Sequence, residues 1–204
     1  MKKLNLSIFI FATLLVSCGG GQLNSPLVYE KNPHYTSGYG EFFGDYYYNE
    51  NANKNNVISL SLFTDSLKIN DLGNLTGLGQ YLFLEDVFQA PADTLLKQGV
   101  YNISNSGLPF TVAPGKNDTV DGEVYPLGAY ISYYEFNAAN STMKLISSGS
   151  FTVSLSGEIY SIACNFKTSD NLDLKGSFTA TLPHINQSIN TTKSGVRKRL
   201  VYKR

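Results

Sequence analysis

Residues 149–167 read GSFTVSLSGEIYSIACNFK, and this stretch decides the fold class. Phe151, Val153 and Leu155 alternate with serine and threonine, as expected for a β-strand with one buried face. Ser156-Gly157 is a two-residue hairpin signal. The alternation then resumes with Tyr160, Ile162, Cys164 and Phe166. The pattern predicts an antiparallel hairpin that is apolar on one side and polar on the other.

The register of this hairpin follows from its turn. A turn at Ser156-Gly157 pairs Leu155 with Glu158, Val153 with Tyr160 and Phe151 with Ile162, so that both apolar sets share one face. Residues 172–182 form a further strand with Leu172, Leu174, Phe178 and Leu182 on one face. For that face to match, the intervening loop must have an odd number of residues. Thr168-Ser169-Asp170 fits, and it places Cys164 opposite Leu174 and Tyr160 opposite Phe178.

The rest of the body has the same character. Tyrosine, phenylalanine, glycine, serine and asparagine are abundant, tryptophan is absent, and no helix-length amphipathic segment occurs. Further strands are predicted near residues 39–48, 57–63, 81–88, 99–103, 109–112 and 127–136. Strands with one apolar side, joined by short turns, predict an all-β antiparallel meander of about eight to ten strands. Such a meander closes into a lipocalin-like β-barrel or folds into a β-sandwich.

The amino terminus has the features of a secretion and lipidation signal. Lys2 and Lys3 precede a short, mostly apolar run over residues 4–15, which is the pattern of a secretory signal and is too short to span a bilayer. The ending Leu15-Val16-Ser17-Cys18 resembles the lipobox of bacterial lipoproteins. The resemblance implies that the Cys18 thiol carries a diacylglycerol and that cleavage before it makes Cys18 the first residue of the mature, membrane-anchored chain. The alternative is an ordinary secreted protein with a chance cysteine near its cleavage site.

These features divide the chain into a signal peptide (1–17), a lipidated tether (18–36), a single all-β domain (37–182) and a basic tail (183–204). All 16 acidic residues lie between Glu30 and Asp173. They outnumber the basic residues of the body, counted from residue 19 to Pro183, by 8, whereas the tail carries six basic residues. This asymmetry indicates a tail that interacts with a partner or folds back onto the body. Its composition favours disorder, with a strand at Leu200-Val201-Tyr202 as the alternative.

The lipobox, the body rich in tyrosine, asparagine and glycine, and the closing hairpin together resemble the small outer-envelope lipoproteins of the Bacteroidota. The resemblance implies a lipid-anchored protein of the bacterial cell envelope, at the outer membrane, with the periplasmic and surface faces both open. It brings no catalytic residues with it.

The residues offer little catalytic chemistry. His34 and His184 are the only histidines, and neither has a histidine or cysteine at ligand spacing, so we expect no metal site, no cofactor and no Ser-His-Asp machinery. The acidic loop 117–123 is interpreted as a solvated turn with Asp121-Gly122 at its tip rather than a weak calcium site. Glu85 and Asp86 are expected to point to opposite faces of their strand, so each would need a distant carboxylate for hydrolysis. Cys164 is expected to be an inert core residue.

Tyrosines are the side chains with binding potential. Tyr46, Tyr48, Tyr130 and Tyr134 are the candidate ligand-facing aromatics, with core filling as the alternative. We therefore expect a non-enzymatic binding or interaction module for a glycan, a lipophilic ligand or a partner protein. The alternative is a structural subunit of an envelope assembly, and a carboxylate-based hydrolase comes third. Because we expect the protein in the cell envelope, nucleic acid is an improbable partner.

Overall fold

A computed structural model of the chain describes residues 29–47, 55–70, 75–120, 122–135 and 142–188. In these ranges 68% of the residues are in β-strands and none is helical, so the all-β prediction is confirmed. Accordingly, the described part of the chain offers no helix long and apolar enough to cross a membrane.

The described residues form fourteen strands in chain order. They are β1 (His34–Gly44), β2 (Asn56–Thr64), β3 (Leu67–Ile69), β4 (Leu75–Gln89), β5 (Gly99–Ile103), β6 (Thr111–Val112), β7 (Lys116–Val120), β8 (Glu123–Leu127), β9 (Ala129–Glu135), β10 (Thr142–Ser156), β11 (Ile159–Thr168), β12 (Asp173–Leu174), β13 (Ser177–Thr181) and β14 (His184–Asn186).

Eight of these strands close into a barrel, which decides between the two predicted architectures. The circuit runs β1, β2, β4, β6, β5, β10, β11, β13 and back to β1. β9 is an extra strand between the first halves of β4 and β10, while β5 and β6 lie between their second halves. Closure is parallel, because β13 and then β14 run alongside β1 in the same direction. Neighbouring strands of the circuit are therefore antiparallel except at two places, this seam and the parallel β5–β6 pair.

The β10–β11 hairpin forms as predicted, but its register is different. Leu155 pairs with Tyr160 and Val153 with Ile162, because the turn residues are Gly157-Glu158 and not Ser156-Gly157. Gly157 has a φ of +60°, and a two-residue hairpin turn of this kind places glycine first. The shift moves each pair by two residues, so both apolar sets still face the same side.

The next connection is displaced in the same way. Its three residues are Ser169-Asp170-Asn171, an odd number as predicted, but one position later than expected. Asn171 occupies the left-handed region at φ +65°, which asparagine tolerates at the end of a three-residue loop. As a result Leu174 lies opposite Phe166, and Phe178 lies opposite Ile162.

The apolar side chains form two cores. The inner core fills the barrel, and Tyr101 stacks on Phe151 there with ring centroids 4.7 Å apart. An outer aromatic cluster lies on the outside of β1, β2, β4 and β9, beneath β3. Its members are Tyr39, Phe63, Leu67, Ile69, Leu75, Tyr81, Phe83, Tyr130, Tyr134 and Leu145. Every residue of β2 is buried, because the outer aromatic cluster includes Phe63 at the end of the strand and the Ser59 hydroxyl donates to the buried Glu41 carboxylate.

We call the end at which β1, β4 and β10 begin the lower end, and the end at which they finish the upper end. Residues 29–33, the plug segment, close the lower end, where Tyr29 packs against the inner core. Residues 90–98, the cap segment, close the upper end through the fully buried Leu96. β1 starts at His34, within the segment predicted as tether, and β14 lies beyond the predicted end of the domain at residue 182.

Candidate interaction surface

The barrel interior is a packed core rather than a ligand chamber. Tyr35, Tyr101, Phe151, Phe166 and Phe178 are among its largest fully buried side chains. A small concavity remains at the lower end, lined by Tyr29, Gln80, Ile131, Tyr133 and Lys144. Its volume of about 10 Å³ has room for roughly one water molecule. The described part of the barrel therefore presents its chemistry on the outside.

The most prominent outer feature is an arm formed by β7 and β8. These two strands pair only with each other among the described strands and make a separate two-stranded sheet. Val120 pairs with Glu123 at the tip of the arm, where Gly122 adopts a φ of +83°. The tip lies where the sequence places a turn, but the chain around it extends into two strands.

The arm is exposed along most of its length. Residues 116–119 and 122–124 are exposed, and Val124 keeps 64% of its surface in contact with solvent. At the base of the arm, the Gly115 amide donates to the Ile146 carbonyl oxygen at 2.7 Å. The arm is therefore hydrogen-bonded to β10 at its base and projects from the barrel beside the lower half of that strand.

A groove of about 300 Å³ lies between the arm and the barrel. The arm contributes Asn117, and the barrel contributes residues of β10 and of the loop after β11. Those barrel residues are Met143, Lys144, Leu145, Ser169 and Asp170. The groove thus combines an amide, a hydroxyl, an ion pair and two apolar side chains, and Met143 is 40% exposed.

Lys144 organises the charges at the edge of this groove. Its ammonium group forms an ion pair with Asp170 and lies 5.7 Å from the centre of the Tyr29 ring. Hydrogen bonds from Lys144 and Thr168 lower the pKa of Asp170. Burial, followed by the charges of Asp170 and Asp173, raises the pKa of Tyr29 to about 12. At neutral pH the groove therefore holds a paired cation and anion beside a neutral phenol.

The structure separates the candidate tyrosines. Tyr46 packs against Phe43 and Tyr47 near the upper end of β1. Tyr130 is 8% exposed in the outer aromatic cluster, and Tyr134 is half-buried beside it. Cys18 and Tyr48 lie outside the described residues. The described tyrosines therefore do not converge on one site.

The Glu85–Asp86 prediction needs a correction. A β-bulge places both residues opposite the single residue Ser59, since Ile58 pairs with Val87 and Leu60 with Leu84. Leu84 and Val87 both belong to the inner core, so the two carboxylates share the outer side instead of pointing to opposite faces.

Each of these carboxylates nevertheless has its own local partner. Glu85 accepts a hydrogen bond of 2.7 Å from the Gly128 amide, and Asp86 accepts one of 2.8 Å from the Tyr47 hydroxyl. These bonds account for the burial of both groups. No group of three or more histidine, cysteine, aspartate or glutamate side chains in the described ranges is arranged to hold a metal ion.

Cys164 lies on the inner face, as predicted. It is 5% exposed and unpaired, and burial raises the pKa of its thiol to about 12. The thiol is therefore protonated at neutral pH and is a poor nucleophile.

Two features of this surface were not recognised from the sequence. The arm was interpreted as a turn, although Asp121-Gly122 flanked by valines is a hairpin signal. His184 falls within the predicted basic tail (183–204), but it belongs to β14 and lies at the upper end of the barrel. The sequence signal for this position is Gly40, because a glycine inside a strand indicates that another group packs closely against the backbone; here that group is the His184 ring.

Comparisons of the chain with protein-family models, with curated proteins and with solved structures find no match.

Proposed function

We propose that this protein is a lipid-anchored component of the bacterial cell envelope that acts as a non-enzymatic interaction module. Its partner is another protein, which docks on the arm and on the groove at its base. The observation that carries the proposal is the contrast between a barrel filled by its own side chains and an exposed arm without a strand partner among the described strands. A filled interior disfavours a carrier of lipophilic ligands.

The arm is suited to a protein partner for a physical reason. The outer edge of a strand presents backbone N–H and C=O groups that an added strand satisfies, and side chains on that surface supply specificity. Val124 provides an exposed apolar anchor on β8. The neighbouring groove adds Met143 and the Lys144–Asp170 pair as further contacts.

Site-specific photo-cross-linking in the native host tests this proposal. A photo-reactive residue at position 124 of the full chain should give a discrete cross-linked protein adduct in envelope extracts. The matched control is position 155. Leu155 is also apolar and is 44% exposed, but it lies near the end of β10, whereas the arm lies beside the first half of that strand. Leu155 is roughly 33 Å along the strand from Leu145, at about 3.3 Å per residue. Equal adducts at both positions, or none at position 124, would contradict the proposal.

Membrane anchoring is tested separately. Cys18→Ala should move the protein from the membrane fraction to the soluble fraction, because stable anchoring needs the attached acyl chains. A variant that stays in the membrane fraction would refute the lipid anchor while leaving the arm as an interaction surface.

A glycan in the groove is the second candidate. The amide of Asn117, the hydroxyl of Ser169 and the carboxylate of Asp170 line one concavity with exposed Met143, and such polar groups hydrogen-bond sugar hydroxyls. Native mass spectrometry of the full chain from envelope extracts distinguishes the two candidates. A retained carbohydrate mass favours the glycan, whereas a co-purifying protein favours the partner protein.

A further inference from the structure

His184 joins three parts of the upper end. Its Nε2 accepts a hydrogen bond of 3.3 Å from the Leu96 amide of the cap segment. Its ring also hydrogen-bonds the backbone of Leu182, between β13 and β14. Nε2 must be unprotonated to accept, so the proton of the neutral ring is on Nδ1, the nitrogen left to donate to Leu182.

The surrounding residues hold the ring in this position. It packs against Tyr160 of the inner core, with ring centroids 5.7 Å apart. Gly40 of β1 pairs with His184, and a Cβ at position 40 would lie 3.0 Å from Cδ2 and 3.2 Å from Nε2 of the histidine. The missing side chain at position 40 therefore creates the space that the ring occupies.

We propose that His184 is a pH-sensitive latch on the cap segment. The neutral ring bridges the cap to the connection between β13 and β14. Protonation adds a hydrogen to Nε2, so that the nitrogen loses its lone pair and faces the Leu96 N–H donor. The contact between Leu96 and β14 then opens, and Leu96 is released from the upper end of the inner core. Asn56 still holds the cap at Pro91 and Asp93, and Tyr101 holds it at Lys97.

The charged neighbours do not replace this acceptor. The titratable groups on the surrounding elements are Glu41 of β1, Tyr160 of β11, Tyr101 of β5, and Asp93 and Lys97 of the cap. Asp93 is paired with Lys97 at 3.3 Å, and Glu41 accepts hydrogen bonds from Ser59 and Gln187. Burial lowers the pKa of His184 and the hydrogen bond to Leu182 partly opposes that shift, so the closed cap favours the neutral ring.

Hydrogen exchange of the full chain tests the latch. Mass spectrometry at pH 7.5 and pH 5, corrected for intrinsic exchange rates, should show lower protection of the cap segment in acid. With the open state titrating near 6.5 and the pKa of the closed state lowered, the loss of protection between these pH values is at most about 30-fold. The plug segment serves as the internal reference, and its protection should change less.

The matched control is the second histidine. His34→Gln should keep the pH dependence of the cap, because His34 is exposed, hydrogen-bonds the Ser177 hydroxyl at 3.1 Å and lies at the lower end of the barrel, away from the cap. His184→Gln should abolish that dependence. The latch is refuted if the wild-type cap is equally protected at both pH values, or if His184→Gln retains the acid loss.

Gly40→Ala provides an independent variant should His184→Gln fold poorly. Its methyl group displaces the ring, so the cap should already be poorly protected at pH 7.5 and should lose little more at pH 5. Wild-type protection of the cap in this variant, with an unchanged response to acid, would argue against the latch.

Discussion

The plug segment at the lower end and the cap segment at the upper end cover the same inner core with different chemistry. At the lower end, the Gln80 side chain hydrogen-bonds both the amide and the carbonyl of Glu30, at 3.0 and 3.1 Å. At the upper end, Asn56 and Tyr101 donate to carbonyls of the cap, and the Leu96 amide in addition donates to a histidine. An amide does not titrate between pH 4 and 10, whereas a histidine does. The comparison teaches that the upper closure adds a titrating acceptor to the kind of side-chain amide contact that both ends share.

The largest expected effect tests how much the cap contributes to the core. Leu96→Ala should lower the free energy of unfolding by about 2–5 kcal/mol, because the side chain is 1% exposed and its removal leaves a cavity. Leu95→Ala is the control, and it should change stability by less than about 0.5 kcal/mol since Leu95 is 47% exposed. Urea unfolding monitored by tyrosine fluorescence measures both, and similar losses would mean that Leu96 does not close the barrel.

The two buried glutamines sharpen the comparison between the ends. Gln80→Met should cost about 1–3 kcal/mol, because it leaves both backbone groups of Glu30 without their partner. Gln89→Met, at the upper end, should cost less, about 1 kcal/mol. The Nε2 of Gln89 is buried without a hydrogen-bond partner, the Lys97 amide loses only a long bond of 3.4 Å to Oε1, and Tyr101 keeps its bond to the Lys97 carbonyl. Denaturant midpoints measure both variants, and the reverse ranking would contradict this account.

The two ends should also fail in different pH windows. Because the folded-state pKa of His184 lies below 6.5, its contribution is complete above that pH and is lost as the pH falls from 6.5 toward the folded-state value. Asp170 and Asp173 have pKa values below 3.8, so their pairs with Lys144 and Lys167 weaken only in stronger acid. The unfolding temperature, measured from pH 8 to pH 3, should therefore fall in two steps. His184→Gln should remove only the first step, the one that begins near pH 6.5.

The smallest expected effect concerns the ion pair beside the groove. Lys144→Gln should change stability by less than about 1 kcal/mol, because both charged side chains remain partly exposed. Added salt should reduce the difference further. Unfolding midpoints at low and high ionic strength measure it, and a large loss that salt does not reduce would show that Lys144 acts through packing.

The alternation of residues 149–182 predicted the strands and their buried faces, because a period of two depends only on which side chains face the core. The register required the turn conformation, and Gly157 and Asn171 each moved the turn by one position. The parallel seam between β1 and β13 was beyond pattern analysis, since alternation carries no information on strand direction. The burial of Ser59 and Ser61 depends on neighbours from other strands, such as Glu41 beside Ser59, which only the tertiary structure brings together. The latch histidine was missed because its partners at positions 40, 96 and 160 are far apart in the chain.

The parallel seam has a mechanical consequence. Tyr29 lies at the lower end, and Ser188 follows β14 at the upper end, so the described chain enters and leaves the barrel at opposite poles. A force applied between these two points acts along the axis of β1, β13 and β14 and loads their hydrogen bonds together, in shear. If the chain entered and left the barrel at the same end, a force between those points would instead break the hydrogen bonds one at a time. The barrel is therefore arranged to transmit tension along its length.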